Sequence, residues 1–278
     1  MKKSIYLTSL IVMLTSCEKS AIEVIQPAKQ VTFDVSGDFE PITRLSANGS
    51  EMTDLWLFDY MDGSLQQSIH QTPSDANWGN PTISMSYGTH TLCFVAARGE
   101  SPTVNEGSRT ITWEKPKDTF WTTKLFTVST STSESSSVTL NRVATKLKIT
   151  VNDEVPAECE SFVLTPSVWW HGLDYENGVA VSPKTNNERT IAIPYSYIGT
   201  SGQLSMSIYG ISDMGEWTTD VHVQAVSSTS AVLGQVTLHD VPFTRNRSTE
   251  YSGNLFAATS SSSITLDDTW QPACTATW

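Results

Sequence analysis

The residue with the clearest chemical assignment is Cys17, in the stretch "MLTSCEKS" at positions 13–20. It follows Met-Lys-Lys and an apolar run from Ile5 to Leu14. That run is about ten residues long, roughly half of what a helix needs to cross a bilayer. A short apolar core behind Lys2 and Lys3 reads as an export signal rather than a membrane anchor. Its ending, Leu14-Thr15-Ser16-Cys17, resembles a bacterial lipobox, in which a diacylglycerol is joined to the cysteine sulfur and the chain is cut just before it. Residues 1–16 are then a signal peptide and Cys17 is the lipidated first residue of the exported protein. Ordinary signal cleavage beside a chance cysteine is the alternative. A processed lipobox N-terminus carries two or three acyl chains, enough for stable attachment to a membrane, where one chain would hold weakly.

No other residues form a catalytic signature. There is no HExxH, GxSxG, P-loop or GxGxxG. The five histidines (His70, His90, His171, His222 and His239) are scattered, and three of them sit in alternating patterns where a structural role is expected. Asp59 and Asp62 in "FDYMDG" lack a third acid at calcium-loop spacing, so Asp62-Gly63 is expected to form a hairpin turn rather than a metal site. Asp267-Asp268 reads as a solvated turn. A carboxylate pair for glycoside hydrolysis could assemble only in the fold, and no pair is nominated. The expectation is a protein without catalysis, cofactor or metal.

Three further cysteines remain: Cys93, Cys159 and Cys274. Their spacings suit no metal site. Cys93, inside "TLCFVAA", is expected to be a small buried hydrophobe. A Cys159–Cys274 disulfide is open to an exported protein. The stretch "VWWHGLDYENG" (168–178) gathers Trp169, Trp170 and Tyr175, whose rings could stack on a glycan. The competing reading is that these rings pack between sheets or over an interface. Trp169 and Trp170 are adjacent, so in a strand they face opposite ways and only one can enter a given core.

The formal charge is −12 over 278 residues. An acidic chain without a Lys/Arg cluster argues against a nucleic-acid partner. The length allows one large or two ordinary cores.

The elements that must position these residues read as strands. "QVTFDVSG" alternates Val31, Phe33 and Val35 with polar neighbours. "DLWLFDYMDGSLQQSI" puts Leu55, Leu57 and Asp59 on one face and Trp56, Phe58 and Tyr60 on the other, then turns at Asp62-Gly63. "TISMSYGTHTLCFVAARG" repeats the pattern with a turn at Tyr87-Gly88-Thr89. Many more short alternating runs follow, separated by Gly, Pro, Asn and Ser. "DTFWTTKLF" is the one place where a helical turn is expected. "STSTSESSS" (129–137) reads as an exposed loop, and "NRVATKLKITV" opens a new run with Leu147, Ile149 and Val151 inward. The pattern is all-β, with β-sandwiches on either side of a boundary near 141–144. The segments are a lipid-proximal tether at 17–29, an N-terminal sandwich at 30–142 and a C-terminal sandwich at 143–278. No internal sequence repeat is visible.

Three stretches, "TDLWLFDYMDGSL", "VTLNRVATKLKITV" and "VPFTRNRSTEYSGNLF", in this order behind a lipobox, resemble the fimbrillin superfamily. These are the lipoprotein subunits of type V pili in the Bacteroidales; the first stretch is most similar to the anchor type. The resemblance spans most of the exported chain. It implies two tandem transthyretin-like, Greek-key β-sandwiches and a structural or adhesive role. It also implies an assembly route. A trypsin-like protease cuts after an arginine in the loop following the first strand, and the position that matches here is Arg44 in "GDFEPITRLSANGS". The first strand leaves, and a strand from a neighbouring subunit fills the gap. The implied location is the outer membrane and the fimbrium at the cell surface. The implied partners are other fimbrial subunits, with host or bacterial surface glycans or proteins as adhesion ligands. "SITLDDTWQPACTATW" could supply the donated strand or form a fixed last strand. An anchor subunit would keep its lipid and stay uncut at Arg44. A stand-alone, glycan-binding surface lipoprotein is the second expectation.

Overall fold

The computed structural model of the chain describes residues 27–37, 52–213 and 215–256, and the backbone of 262–264. Among these residues the fold is all-β, with nineteen strands, one 3₁₀ turn at Tyr195–Tyr197 and no α-helix.

The first half contains β1 (Ala28–Gly37), β2 (Asp54–Met61), β3 (Ser64–Gln71), β4 (Thr82–Ser86) and β5 (Gly88–Ala97). After them come β6 (Thr103–Asn105), β7 (Thr110–Thr112), β8 (Thr119–Val128) and β9 (Ser135–Arg142). Seven of these form one sheet in the order β3-β2-β5-β8-β9-β1-β4. The β8–β9 pairing is confined to Phe120↔Arg142 and Trp121↔Asn141. The sheet therefore folds over there, and its two wings enclose a core that includes Val31, Phe33, Leu55, Leu57, Phe94 and Leu140. The wings meet in this way because each strand alternates, so one face of every wing is apolar.

The second half contains β10 (Ala144–Val151), β11 (Cys159–Pro166), β12 (Val168–Asp174), β13 (Val179–Thr185) and β14 (Arg189–Ala192). It continues with β15 (Leu204–Ile211), β16 (Trp217–Ser227), β17 (Val232–Phe243), β18 (Ser248–Gly253) and β19 (Ser262–Ile264). Two four-stranded sheets, β15-β10-β18-β19 and β14-β11-β16-β17, face each other over Leu147, Ile149, Phe162, Trp169, Val223 and Phe243.

The two halves share one strand order. In the first, β9-β1-β4 faces β8-β5-β2-β3; in the second, β18-β10-β15 faces β17-β16-β11-β14. In both, the opening strand lies parallel to the late strand beside it and antiparallel to its other neighbour. Each half also carries an inserted hairpin, at a different point in that order. β6–β7 lies between β5 and β8, and β12–β13 lies between β11 and β14. The hairpins pair with each other as a fourth sheet, β13-β12-β7-β6, built from both halves.

That shared sheet changes the setting of β2 and β5. Both are covered on two faces, and most of their residues are buried. Leu55 and Leu57 face the first core, while Trp56, Phe58 and Tyr60 face a third core together with Trp113, Leu173 and Tyr175. The turn at Asp62 (φ 52°) and Gly63 (φ 75°) has the two positive angles that a tight hairpin requires, as the sequence predicts.

Two local expectations are corrected. "DTFWTTKLF" is not a helical turn but part of β8, where pairing with β5 holds it extended and Phe120 enters the first core. Ser135, Ser136 and Ser137 are not loop but the start of β9, because they pair in parallel with Thr32, Phe33 and Asp34 of β1. Tertiary pairing overrides serine's weak strand preference there.

Candidate functional site

β1 is the element around which a function can be built. Val31, Phe33 and Val35 are fully buried. The Phe33 ring meets the edges of Phe94 and Phe126, with centroids 5.3 and 5.4 Å away. Both backbone edges are in use: β1 runs parallel to β9 from Thr32↔Ser135 to Gly37↔Leu140, and antiparallel to β4 from Ala28↔Ser86 to Thr32↔Thr82. The register is anchored by Thr32 N–H to the Glu134 carbonyl (2.8 Å), Phe33 N–H to the Pro81 carbonyl (2.9 Å) and Val35 N–H to the Gly79 carbonyl (3.0 Å). Burial of the three side chains is worth roughly 5–9 kcal/mol. A chain lacking β1 would hold an apolar slot, open between two strands with unpaired backbone groups.

The residues assigned to lipidation and proteolysis, Cys17 and Arg44, lie outside the described residues. So do Cys274 and everything after Ile264. Of the C-terminal stretch, residues 262–264 form β19, which pairs antiparallel with β18 in the same chain (Gly253↔Ser262 to Tyr251↔Ile264). Cys159 carries a free, buried thiol, and its candidate disulfide partner Cys274 lies outside the described residues. Cys93 is also free and buried. Burial pushes its thiol up to about 12, which keeps it protonated and unreactive.

The ring cluster goes into structure. Trp169 is fully buried in the second core and donates Nε1–H to the Tyr209 carbonyl (2.8 Å). Tyr175 is fully buried at the seam between the halves. It stacks on Phe58 at 4.0 Å with 5° between the planes, and its hydroxyl meets that of Tyr60 at 2.8 Å. Trp170 points the other way from Trp169 and packs, half-buried, against the third core. Neither Trp169 nor Tyr175 offers a ring face to a sugar. Burial also raises the tyrosine hydroxyl pKa of both Tyr175 and Tyr60.

The seam has further ties. Trp121 donates Nε1–H to the Tyr175 carbonyl (2.8 Å). Gly178, at φ 69°, lies flat on the Trp121 ring, where a Cβ would come within 2.5 Å. Arg109 of the first half pairs with Glu176 of the second. Arg142 bonds Asp118 (2.8 Å) and reaches Asn246 (3.1 Å).

Sequence reasoning missed two polar groups. Asp59 and His90 face each other across β2 and β5 at 2.7 Å, both buried, with His90 Nε2 also 3.0 Å from the Ser86 carbonyl. Asp59, an acid between Phe58 and Tyr60 in a strand, was the available signal; His90 lies between Thr89 and Thr91 and gave none. His171 and Arg189 are the second group. Burial, then the Arg189 charge, lowers His171 to about 4. Its Nδ1 donates to the Trp113 carbonyl (3.2 Å), and Arg189 Nη1 donates to the Glu114 carbonyl (2.8 Å). His70 lies 2.7 Å from Asp54 and stacks on Trp56. Asp62 serves the hairpin turn. Among the described residues no three His, Cys, Asp or Glu side chains gather as a metal site, and no helix is long and apolar enough to cross a membrane.

No family profile and no curated protein matches this sequence. Solved structures do match its fold. A candidate adhesin from Bacteroides ovatus superposes with a TM-score of 0.52 at 10% identity, over 92% of this chain and 98% of that one. A fimbrial assembly protein from Parabacteroides distasonis gives 0.50 at 9%, over 90% and 100%. A candidate polysaccharide-binding protein from Bacteroides thetaiotaomicron gives 0.52 at 8%, over 88% and 98%. The likeness to fimbrial proteins expected from the sequence is thus present as a shared fold along nearly the whole chain.

Proposed function

We propose that this chain, whose fold is that of fimbrial-assembly and adhesin-type proteins of Bacteroides and Parabacteroides, is a non-catalytic surface lipoprotein that serves as a type V pilus subunit of the anchor or accessory kind. It is held in the outer membrane through acylated Cys17 and has other fimbrial subunits as partners. Its two halves are tandem transthyretin-like sandwiches divided at 142/143. The repeated strand order and the change of sheet between β9 and β10 support that division.

One observation carries the reading. β1 fills a slot between β9 and β4: it is apolar at alternate positions, bonded along both edges, and followed in sequence by Arg44 seven residues after its last residue, Gly37. Cutting after Arg44 would detach the lipid and the strand together. The slot would then accept an extended segment from a neighbour with apolar residues at every second position. Such a contact is head-to-tail and propagates instead of closing. An anchor subunit would keep β1 and its lipid and receive no strand at that slot.

The test is the N-terminus and mass of the protein taken from its native cell surface. A chain starting at Leu45 supports strand exchange in a stalk or tip position. A lipid-modified Cys17 supports the anchor. A chain that begins at neither residue, or that never co-purifies with other subunits, sinks the proposal.

A further inference from the structure

Between the halves lies a cleft of about 470 Å³, a volume in the range of small-molecule sites. The first half contributes Glu100, Lys115 and Lys117, brought together by the bridge Glu100↔Lys115. The second half contributes Glu188 and Arg189 from and beside β14, and Ser207 and Tyr209 from β15. β14 and β15 are the edge strands of the two second-half sheets, so the cleft opens where that sandwich has no further strand.

Its charge is unlike that of the rest of the molecule. The chain as a whole carries −12, yet three cations line this cleft against two acids. Lys115 and Lys117 converge on one carboxylate: each Nζ is 3.0 Å from a different oxygen of Glu100. The lysines therefore already define a carboxylate-sized point at the cleft rim, filled by a half-exposed side chain. Arg189 is nine-tenths buried, and no carboxylate lies within ion-pair distance of it among the described residues. Its partners are neutral: the Glu114 carbonyl (2.8 Å), His171 Nε2 (3.1 Å) and the Asn187 carboxamide turned to present its oxygen (3.0 Å). Burial weakens the hold of this guanidinium on its proton, and only the more distant Glu114 and Glu100 carboxylates offset its charge, so part of its field extends into the adjacent cleft.

We propose that this cleft binds a carboxylate-bearing sugar, its acid group held by Lys115, Lys117 and the Arg189 field and its hydroxyls by Glu188, Thr190 and Ser207. The cleft's limited volume and hydroxyl-bearing walls favour a sugar over an extended acidic peptide. The proposal is independent of strand exchange: it needs only the two halves in contact.

The experiment is calorimetric titration of the intact mature chain with trigalacturonate and sialyl-lactose, each against its uncharged counterpart (galactotriose and lactose), and with an acidic peptide. One or both acidic sugars should bind while the neutral ones do not, and affinity should fall as salt is raised. Lys117→Glu should weaken binding by about ten-fold or more. Glu100→Gln, which releases both lysines, should tighten it by roughly three- to ten-fold. That gain is one a purely structural ion pair would not give, and it keeps the test intact if Lys117→Glu fails to fold. Equal binding of neutral sugars, binding of the peptide alone, no acidic sugar bound, or affinities unchanged by Glu100→Gln would each overturn the assignment.

Discussion

At the scale of single residues, the informative groups are the ones the fold keeps from solvent. Phe33 fills the slot that β1 occupies. Phe33→Ala should lower the unfolding free energy by about 3–5 kcal/mol, read as a drop in the urea midpoint with an unchanged slope. His171 gives a pH test. Its folded value, about 4, lies below the ordinary histidine value of 6.5. Between those values the unfolded chain binds more protons at this site than the folded one, so stability rises with pH across that window. It is complete above 6.5 and is lost as pH falls towards 4. Thermal melts from pH 7 to 4 should show this loss, of order 1–3 kcal/mol, and His171→Gln should remove that part of the slope. Cys93 and Cys159 should resist thiol reagents in the native protein and react after unfolding. Fast native labelling of either would contradict their burial.

At the scale of elements, strand placement was legible wherever one face was apolar. Val31, Phe33 and Val35, or Leu147, Ile149 and Val151, announce their inward side by alternation alone. What alternation could not reveal was how many sheets cover a strand. Trp56, Phe58 and Tyr60 read as the second face of β2 with nothing to say what covers it; the inserted hairpins, distant in sequence, make that face a core. The same limit hid the role of Tyr175. Adjacency settled that Trp169 and Trp170 diverge, but not that Tyr175 would be closed in by Phe58 and Tyr60. Ser135–Ser137 are strand because β1 is beside them, a fact that lives more than a hundred residues away in the chain. The slot itself was visible only as an alternating first strand; its two bonded edges needed the topology. A direct consequence can be checked. A chain beginning at Leu45 should be less stable than one that retains β1, and the synthetic peptide AKQVTFDVSG should restore its melting midpoint. The same peptide with aspartate in place of phenylalanine at position 33 should not, since it would bring a charge into an apolar slot.

At the scale of the whole molecule, the two halves are joined by more than the single residue Val143 between β9 and β10. A shared sheet, a shared core and the Tyr60–Tyr175 contact make them one cooperative unit. Calorimetry of the intact chain should therefore show one transition. Gly178→Val, which forces a side chain into the Trp121 ring from a backbone angle suited to glycine, should split it into two or lower it by several degrees. Two resolved transitions in the unaltered protein would mean that the seam is weaker than its contacts indicate.

The parallel pairing of β1 with β9, and of β10 with β18, has a mechanical consequence. In each half, the point where the chain enters one strand and the point where it leaves its partner lie at opposite ends of the pair. Tension along the chain then slides the two strands past each other, so the hydrogen bonds between them share the load and must fail nearly together. An antiparallel hairpin pulled at its open end would instead unzip one bond at a time. With Val143 as the only residue between the two pairs, both shear-resistant clamps stand in series, a geometry suited to a molecule that carries load from one end of the chain to the other.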